Sequence, residues 1–150
     1  NFNGLSIKRK DITNMAKSLH EEIIKYRPHT IFTHCIDDNH HDHRATAEAT
    51  LIATRPSKIN RFLKKIYSYE IASASEKLIK KNRAFNPNYF VDISETYKQK
   101  IKILNKFYKD ELKPYPNFLS IKSIENQIKY RGNSVNLLAA EAFETVRSIQ

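Results

Sequence analysis

Residues 30–43, Thr-Ile-Phe-Thr-His-Cys-Ile-Asp-Asp-Asn-His-His-Asp-His, decide the fold of this chain. Residues 30–34 are β-branched and aromatic and form a short run, which predicts a buried strand. Residues 44–54 are rich in alanine and threonine at helical spacing, which predicts a helix. The loop between them therefore lies where a strand ends and a helix begins. In open α/β sheets this is the position at which active sites are built.

Helix and strand patterns alternate along much of the chain. Apolar spacing predicts a helix over 12–26, strands over 65–70 and 88–93, a Ser94-capped helix over 95–112, a helix through Ile121 and Ile128 that ends before Gly132, and a last helix over 136–148 marked by Leu138, Ala142 and Val146. We therefore expect one α/β domain over 1–150, a Rossmann-like three-layer sandwich with a mostly parallel sheet. We expect it to be incomplete at its N-terminus, because the strand that should precede the first helix is not in the sequence.

The composition narrows the possible partners. The net charge of +10 over 150 residues favours anionic partners, and a basic domain that binds nucleic acid or another polyanion is the alternative function. Nucleic acid is not favoured, because the lysines are spread along the chain and no recognised nucleic-acid motif occurs. No run of about 18 apolar residues exists, so no transmembrane helix is expected. The single cysteine, Cys35, agrees with a reducing, cytoplasmic setting.

The loop carries the chemistry of a hydrolytic metal site. His40, Asp42 and His43 can supply a ligand, an acid and an orienting carboxylate. The two histidines are three residues apart, and at a helix start that spacing points both rings into one space. A solvated turn with a helix cap is the alternative for so short a motif. A catalytic zinc also needs three protein ligands, which this loop supplies only if more of His34, Asp37, Asp38 or His41 converge.

The wider string resembles the second sequence motif of the LmbE/PIG-L family of zinc-dependent N-acetylglucosaminyl deacetylases. In that family a strand ending in a Thr-His step leads to Asp-x-His-x-Asp-His and then to a helix. The matching segments lie in the same order as in the family and cover nearly all of 11–147. They are Pro28 with Ile31-Phe32-Thr33-His34, Asp38 to Ala45, Tyr69-Glu70, Phe85 to Ser94 followed by a Lys-bearing helix, and Arg131-Gly132 with Ala140 to Phe143.

The resemblance implies a role for several residues. It implies that His43 is a zinc ligand, that His40 stabilises the oxyanion or protonates the leaving amine, and that Asp42 is the partner of His40. Asp38 matches polar residues that approach the family's site, and we expect it to bind substrate. Two further substrate-binding residues are predicted: Glu70 from its place at the end of a strand, and Arg131 by analogy. The implied cofactor is one Zn²⁺ per site, and the implied substrate is an N-acetylated amino-sugar conjugate.

The chain departs from the family at its start. Family members begin with a strand ending in an Ala-His-Pro-Asp-Asp-Glu type motif, which supplies the other ligands and the general base, and this motif is absent here. We therefore expect a truncated chain that resembles the C-terminal two-thirds of such an enzyme, binds zinc weakly and does not hydrolyse acetamides. A non-catalytic homologue is the other interpretation, and a homo-oligomer is left open as the assembly state.

Overall fold

The computed structural model describes residues 9–71 and 85–150. Its elements are α1 (Arg9–Tyr26), β1 (Thr30–His34), α2 (His41–Ala53), β2 (Lys65–Tyr69), β3 (Tyr89–Asp92), α3 (Tyr97–Phe107), α4 (Ile121–Asn133) and β4 (Ala140–Ser148). They form two compact units. The first contains the described residues up to Asn86 together with Glu144–Gln150, and the second is Pro87–Phe143. Among the described residues, no helix has both the length and the apolarity needed to cross a membrane.

The first unit is built on two parallel strands and two helices. Strands β1 and β2 pair in parallel, with Ile31 opposite Ile66 and His34 opposite Tyr69. Both predicted strands are thus confirmed. Three alanines at a spacing of four residues, Ala45, Ala49 and Ala53, lie on the buried face of α2. They pack with three apolar residues of α1: Ile12, Ala16 and Ile23. Small side chains let α2 approach closely, and this fixes where the loop before it emerges.

Hydroxyl groups tie α2 to β1 close to that loop. Thr33 Oγ1 donates to Thr50 Oγ1 at 3.3 Å, and both residues are buried. Thr50 in turn donates to the carbonyl of Thr46 at 2.8 Å. A buried hydroxyl needs a partner to offset its lost hydration, so these bonds fix one relative position of strand and helix. The end of β1 and the start of α2 are therefore held as a pair.

The second unit has a core of its own. Tyr97 of α3, Ile128 of α4 and Ala139 form its buried centre. Strands β3 and β4 pair antiparallel, with Tyr89 opposite Phe143 and Asp92 opposite Ala140. The four strands follow the order β1-β2-β4-β3. The prediction of a mostly parallel sheet is therefore wrong, because the sheet contains a parallel and an antiparallel pair.

The predicted last helix is also wrong. Residues Ala140–Ser148 form β4, although Leu138, Ala142 and Val146 are spaced as on a helix face. A spacing of four residues also keeps side chains on one face of a strand, because the strand period is two. Val146 is exposed rather than packed in a helix core. The spacing of the apolar residues thus fits both a helix and a strand, and the pairing with β3 makes this segment a strand.

Two helix boundaries in the second unit also differ from the prediction. The helix predicted over 95–112 is shorter: it begins after Thr96 and ends at Phe107, and Tyr108, within the predicted range, is 50% exposed. The expected cap, Ser94, instead donates through its amide and hydroxyl to Asp92 Oδ1 at 2.9 and 2.5 Å. Helix α4 does not end before Gly132, because it runs through to Asn133.

Gly132 is needed for close packing rather than as a helix terminator. A Cβ atom at this position would lie 2.7 Å from the backbone N and Cα of Ala139 and 2.8 Å from the carbonyl oxygen of Leu137. These are backbone atoms that cannot rotate away. The absence of a side chain therefore lets the returning chain pass against α4 on its way to β4.

Candidate active site

The loop between β1 and α2 folds around the carboxylate of Asp38. This side chain is fully buried, and its Oδ1 accepts the backbone amide of His40 at 2.7 Å. A bond from an aspartate to the amide two residues later forms a tight local turn. Arg44 closes the other side, because its Nη1 donates to the carbonyls of Asp38 and Asn39 at 2.6 and 2.8 Å. The loop therefore has a defined conformation set by its own polar groups.

His40 caps helix α2. Its backbone is extended, with φ −79° and ψ 126°, and its Nδ1 accepts the backbone amide of Asp42 at 3.2 Å. This is the bond that Ser or Asp usually makes at the position before a helix. A ring nitrogen that accepts a hydrogen bond carries no proton, so the proton of His40 lies on Nε2. This bond uses the backbone of Asp42, and the pairing of its carboxylate with His40 stays a prediction.

His43 lies with one ring nitrogen toward the buried carboxylate. Its Nδ1 is 3.1 Å from Asp38 Oδ1, and the two side chains are 24% and 0% exposed. The distance is that of an ion pair when the ring is protonated, although the direction of approach does not satisfy hydrogen-bond geometry. Nε2 is then the nitrogen of His43 that remains for a ligand. A histidine backed by a carboxylate is the arrangement that metal-binding histidines usually show.

Three imidazole rings stack at the carboxyl end of β1. The His43 ring stacks with the His40 ring, with centroids 4.4 Å apart and planes inclined by 29°. It also stacks with the His34 ring, at 4.6 Å and 21°. The three-residue spacing of His40 and His43 does bring their rings together. The third ring comes from the last residue of β1, so the stack joins strand, loop and helix into one cluster.

His34 and Tyr69 form a pair that sequence reasoning missed. Tyr69 Oη lies 3.2 Å from His34 Nε2, and the two residues are directly opposite each other at the ends of β1 and β2. Burial lowers the pKa of His34, and the neighbouring His43 lowers it further. Burial raises the pKa of Tyr69, with a smaller contribution from the Asp38 charge. The strand register is the signal that identifies this pair, and it requires the parallel pairing to be known.

The other predicted site residues lie in different surroundings. Glu70 follows directly after β2, at the same end of the parallel pair as the stack. His41 is the first residue of α2, and its side chain is exposed. Arg131 belongs to the second unit, where it lies in the last turn of α4 with its guanidinium 5.2 Å from the centroid of the Tyr130 ring.

The described part of the first unit contains only part of a metal ligand set. Within residues 9–71 and 85–150, no three His, Cys, Asp or Glu side chains are arranged to hold one ion. A catalytic zinc usually takes three protein ligands. His43 Nε2 fits one such position, and Asp38 fits the carboxylate that orients it from behind. The donor chemistry therefore suits zinc, but the described residues alone do not complete its coordination.

Comparison with known proteins gives fold-level matches. No protein-family profile matches the chain, and no curated protein matches it in sequence. A conserved protein, TT1542, from Thermus thermophilus superposes with a TM-score of 0.65 at 18% identity, covering 100% of this chain and 65% of its own. N,N'-diacetylchitobiose deacetylase from Pyrococcus horikoshii, solved with an inhibitor, gives 0.63 at 16% identity, covering 90% and 52%. The chain therefore shares the fold of these two structures and spans about half to two thirds of their length.

Proposed function

We propose that this protein takes part in the metal-dependent deacetylation of an N-acetylated amino sugar or its conjugate. The observation that carries the proposal is the stack of His34, His43 and His40, in which His43 contacts the buried carboxylate of Asp38. It lies at the carboxyl end of a parallel strand pair, where α/β proteins bind substrates. The fold shared with a diacetylchitobiose deacetylase supports the same reaction class.

His43 is proposed as a zinc ligand through Nε2. The contact of Asp38 with Nδ1 and the stacking with two neighbouring imidazole rings support one direction for this nitrogen. Asp38 was expected to bind substrate, but a fully buried carboxylate is better suited to orient His43. When bound, zinc would polarise the acetyl carbonyl and activate a water molecule. The proposal requires further ligands from residues outside those described.

His40 is proposed as the group that acts on the substrate oxygen or on the leaving amine. Because its Nδ1 accepts the Asp42 amide, its Nε2–H is the donor available to an oxyanion. Its position at the N-terminus of α2 adds the positive end of the helix dipole, which also favours a developing negative charge. Asp42 acts by holding the ring in this tautomer.

The substrate contacts are proposed on position and chemistry. Glu70 follows the strand end that carries Tyr69, so its carboxylate can accept hydrogen bonds from sugar hydroxyls near the stack. Arg131 remains a prediction based on the family resemblance, as a contact for a sugar or an attached phosphate. The charge of +10 agrees with an anionic conjugate.

The test is amine release from N-acetylglucosamine and N,N'-diacetylchitobiose, measured with and without added zinc in the natural polypeptide that contains these residues. His43→Ala should lower both zinc content and rate by about 100-fold or more, and His40→Ala should lower the rate by a similar factor with zinc content retained. His41→Ala is the matched control, because this exposed neighbour should change neither. Full activity in both site variants would refute the proposal, as would zinc-independent turnover.

A further inference from the structure

Only one ring nitrogen of His34 has a polar partner among the described residues. Its Nδ1 is buried and has no hydrogen-bond partner among the described residues, and its Nε2 faces the hydroxyl of Tyr69 at 3.2 Å. Buried polar atoms are usually paired, and an unpaired ring nitrogen does not help to fix the orientation of the ring. The Tyr69 hydroxyl and the contact with His43 are therefore the interactions that set its orientation.

The His34 ring in turn covers one face of His43. The centroid distance of 4.6 Å and the inclination of 21° make this an almost parallel stack. Stacked rings resist rotation out of the plane, whereas Asp38 restrains His43 only at its Nδ1 edge. His34 thus restrains the rotation of the His43 ring out of its plane, which the contact with Asp38 does not restrain.

The backbone makes the pair rigid. His34 and Tyr69 are directly opposite residues on paired parallel strands, and the amide of Cys35 donates to the carbonyl of Tyr69 at 3.2 Å. Both side chains project from the last ladder position before the loop. Their separation is consequently set by the strand register and not by a mobile loop.

We infer that Tyr69 and His34 are positioning residues for His43, with the Tyr69 hydroxyl fixing the His34 ring and the His34 ring fixing the direction of His43 Nε2. This inference rests on the proposed function for its catalytic consequence, but the restraint itself is a property of the folded chain. Neither residue needs to touch the substrate.

The experiment is a double-substitution cycle read by two methods. The protein is labelled with ¹⁵N-histidine, and the ring signals are assigned by single replacement of its six histidines. Tyr69→Phe removes only the hydroxyl, and His34→Phe keeps an aromatic ring on His43 but removes the nitrogen that Tyr69 contacts. Tyr130→Phe, at an exposed tyrosine of the second unit, is the control. Thermal unfolding of each variant checks that it is folded.

We expect Tyr69→Phe to move the ring signals of both His34 and His43 and to lower kcat for amine release by about tenfold with KM unchanged. In the His34→Phe background the same substitution should have no further effect on the His43 signals or on kcat, because the hydroxyl acts through His34. Tyr130→Phe should change nothing.

Unmoved His43 signals in Tyr69→Phe would overturn the inference, and so would an undiminished effect of Tyr69→Phe in the His34→Phe background. The two proposals can fail separately. If the unsubstituted protein releases no amine but the His43 signals respond as expected, the deacetylase proposal fails and the positioning pair stands.

Discussion

Each of the two units contains a carboxylate close to a side-chain nitrogen, and the two pairs differ sharply in their exposure to water. In the first unit Asp38 is 0% exposed and lies 3.1 Å from His43 Nδ1. In the second, Glu141 is 36% exposed and accepts from Lys100 Nζ at 2.6 Å, and Lys100 is 40% exposed. Water screens the second pair, so it contributes little to stability. Burying the first carboxylate is costly, and such groups are common at functional sites.

Among the substitutions that compare the two units, the largest effect is expected from removing the buried charge. Asp38→Asn keeps an oxygen that can accept the His40 amide but removes the attraction for His43 Nδ1. Amine release should fall by about 10–100-fold, the usual range for a partner that orients a metal ligand. Glu141→Gln is the matched change in the second unit and should leave the rate unaltered. Equal losses of amine-release rate in the two variants would mean that the buried carboxylate is no more important for activity than the exposed one.

A second, smaller effect concerns stability in the second unit alone. Gly132→Ala should lower the free energy of unfolding by about 1–3 kcal/mol, because the added methyl group would overlap the backbone at Ala139. Helix propensity alone would predict a gain of about 1 kcal/mol for the same change. Asn126→Ala, at an exposed position of α4, is the control and should be neutral or slightly stabilising. Urea unfolding decides the sign, and a stabilised Gly132→Ala variant would refute the close approach.

The exposed ion pair of Lys100 and Glu141 should affect the free energy of unfolding less than the change at Gly132. Lys100→Met and Glu141→Gln should each change the free energy of unfolding by about 0–1 kcal/mol, with a smaller difference at high salt. Chemical denaturation at two ionic strengths measures this. A loss of several kcal/mol that salt does not reduce would show that the pair behaves as a buried one.

The smallest effect is a shift in one titration. The hydroxyl and the amide of Ser94 hold the pKa of Asp92 below its usual value. A lowered native pKa stabilises the fold above the unfolded pKa, and this contribution is lost as the pH falls through the native value. Ser94→Ala removes the hydroxyl bond and should raise the pKa of Asp92, so this contribution is smaller and is lost at a higher pH. NMR titration of the Asp92 carboxyl measures the change, and an unmoved titration would contradict it.

The sequence predicts those features of the fold that depend on local pattern. Strands β1, β2 and β3 are dense in β-branched and aromatic residues, and the structure has strands there. The convergence of His40 and His43 follows from their spacing at a helix start. In each case the physical cause lies within a few residues of the chain.

The features that were missed depend on contacts between distant segments. The strand period and the helix period both fit Ala142 and Val146, and only pairing with β3 identifies the strand. The contact between His34 and Tyr69 requires the register of two strands 35 residues apart. The burial of Asp38 was missed for another reason. An aspartate in a polar segment is usually exposed, whereas here the loop closes around it through Arg44 and His40.

The most direct test of the central claim, that the histidine stack directs one nitrogen toward a shared metal ion, is anomalous X-ray scattering at the zinc edge. The crystals should contain the natural polypeptide with these residues and be grown with zinc. The predicted result is a zinc peak about 2.0–2.1 Å from His43 Nε2, with His40 adjacent but not bound to the ion. A zinc-loaded crystal with no peak at His43, or with zinc bound only elsewhere, would contradict the claim.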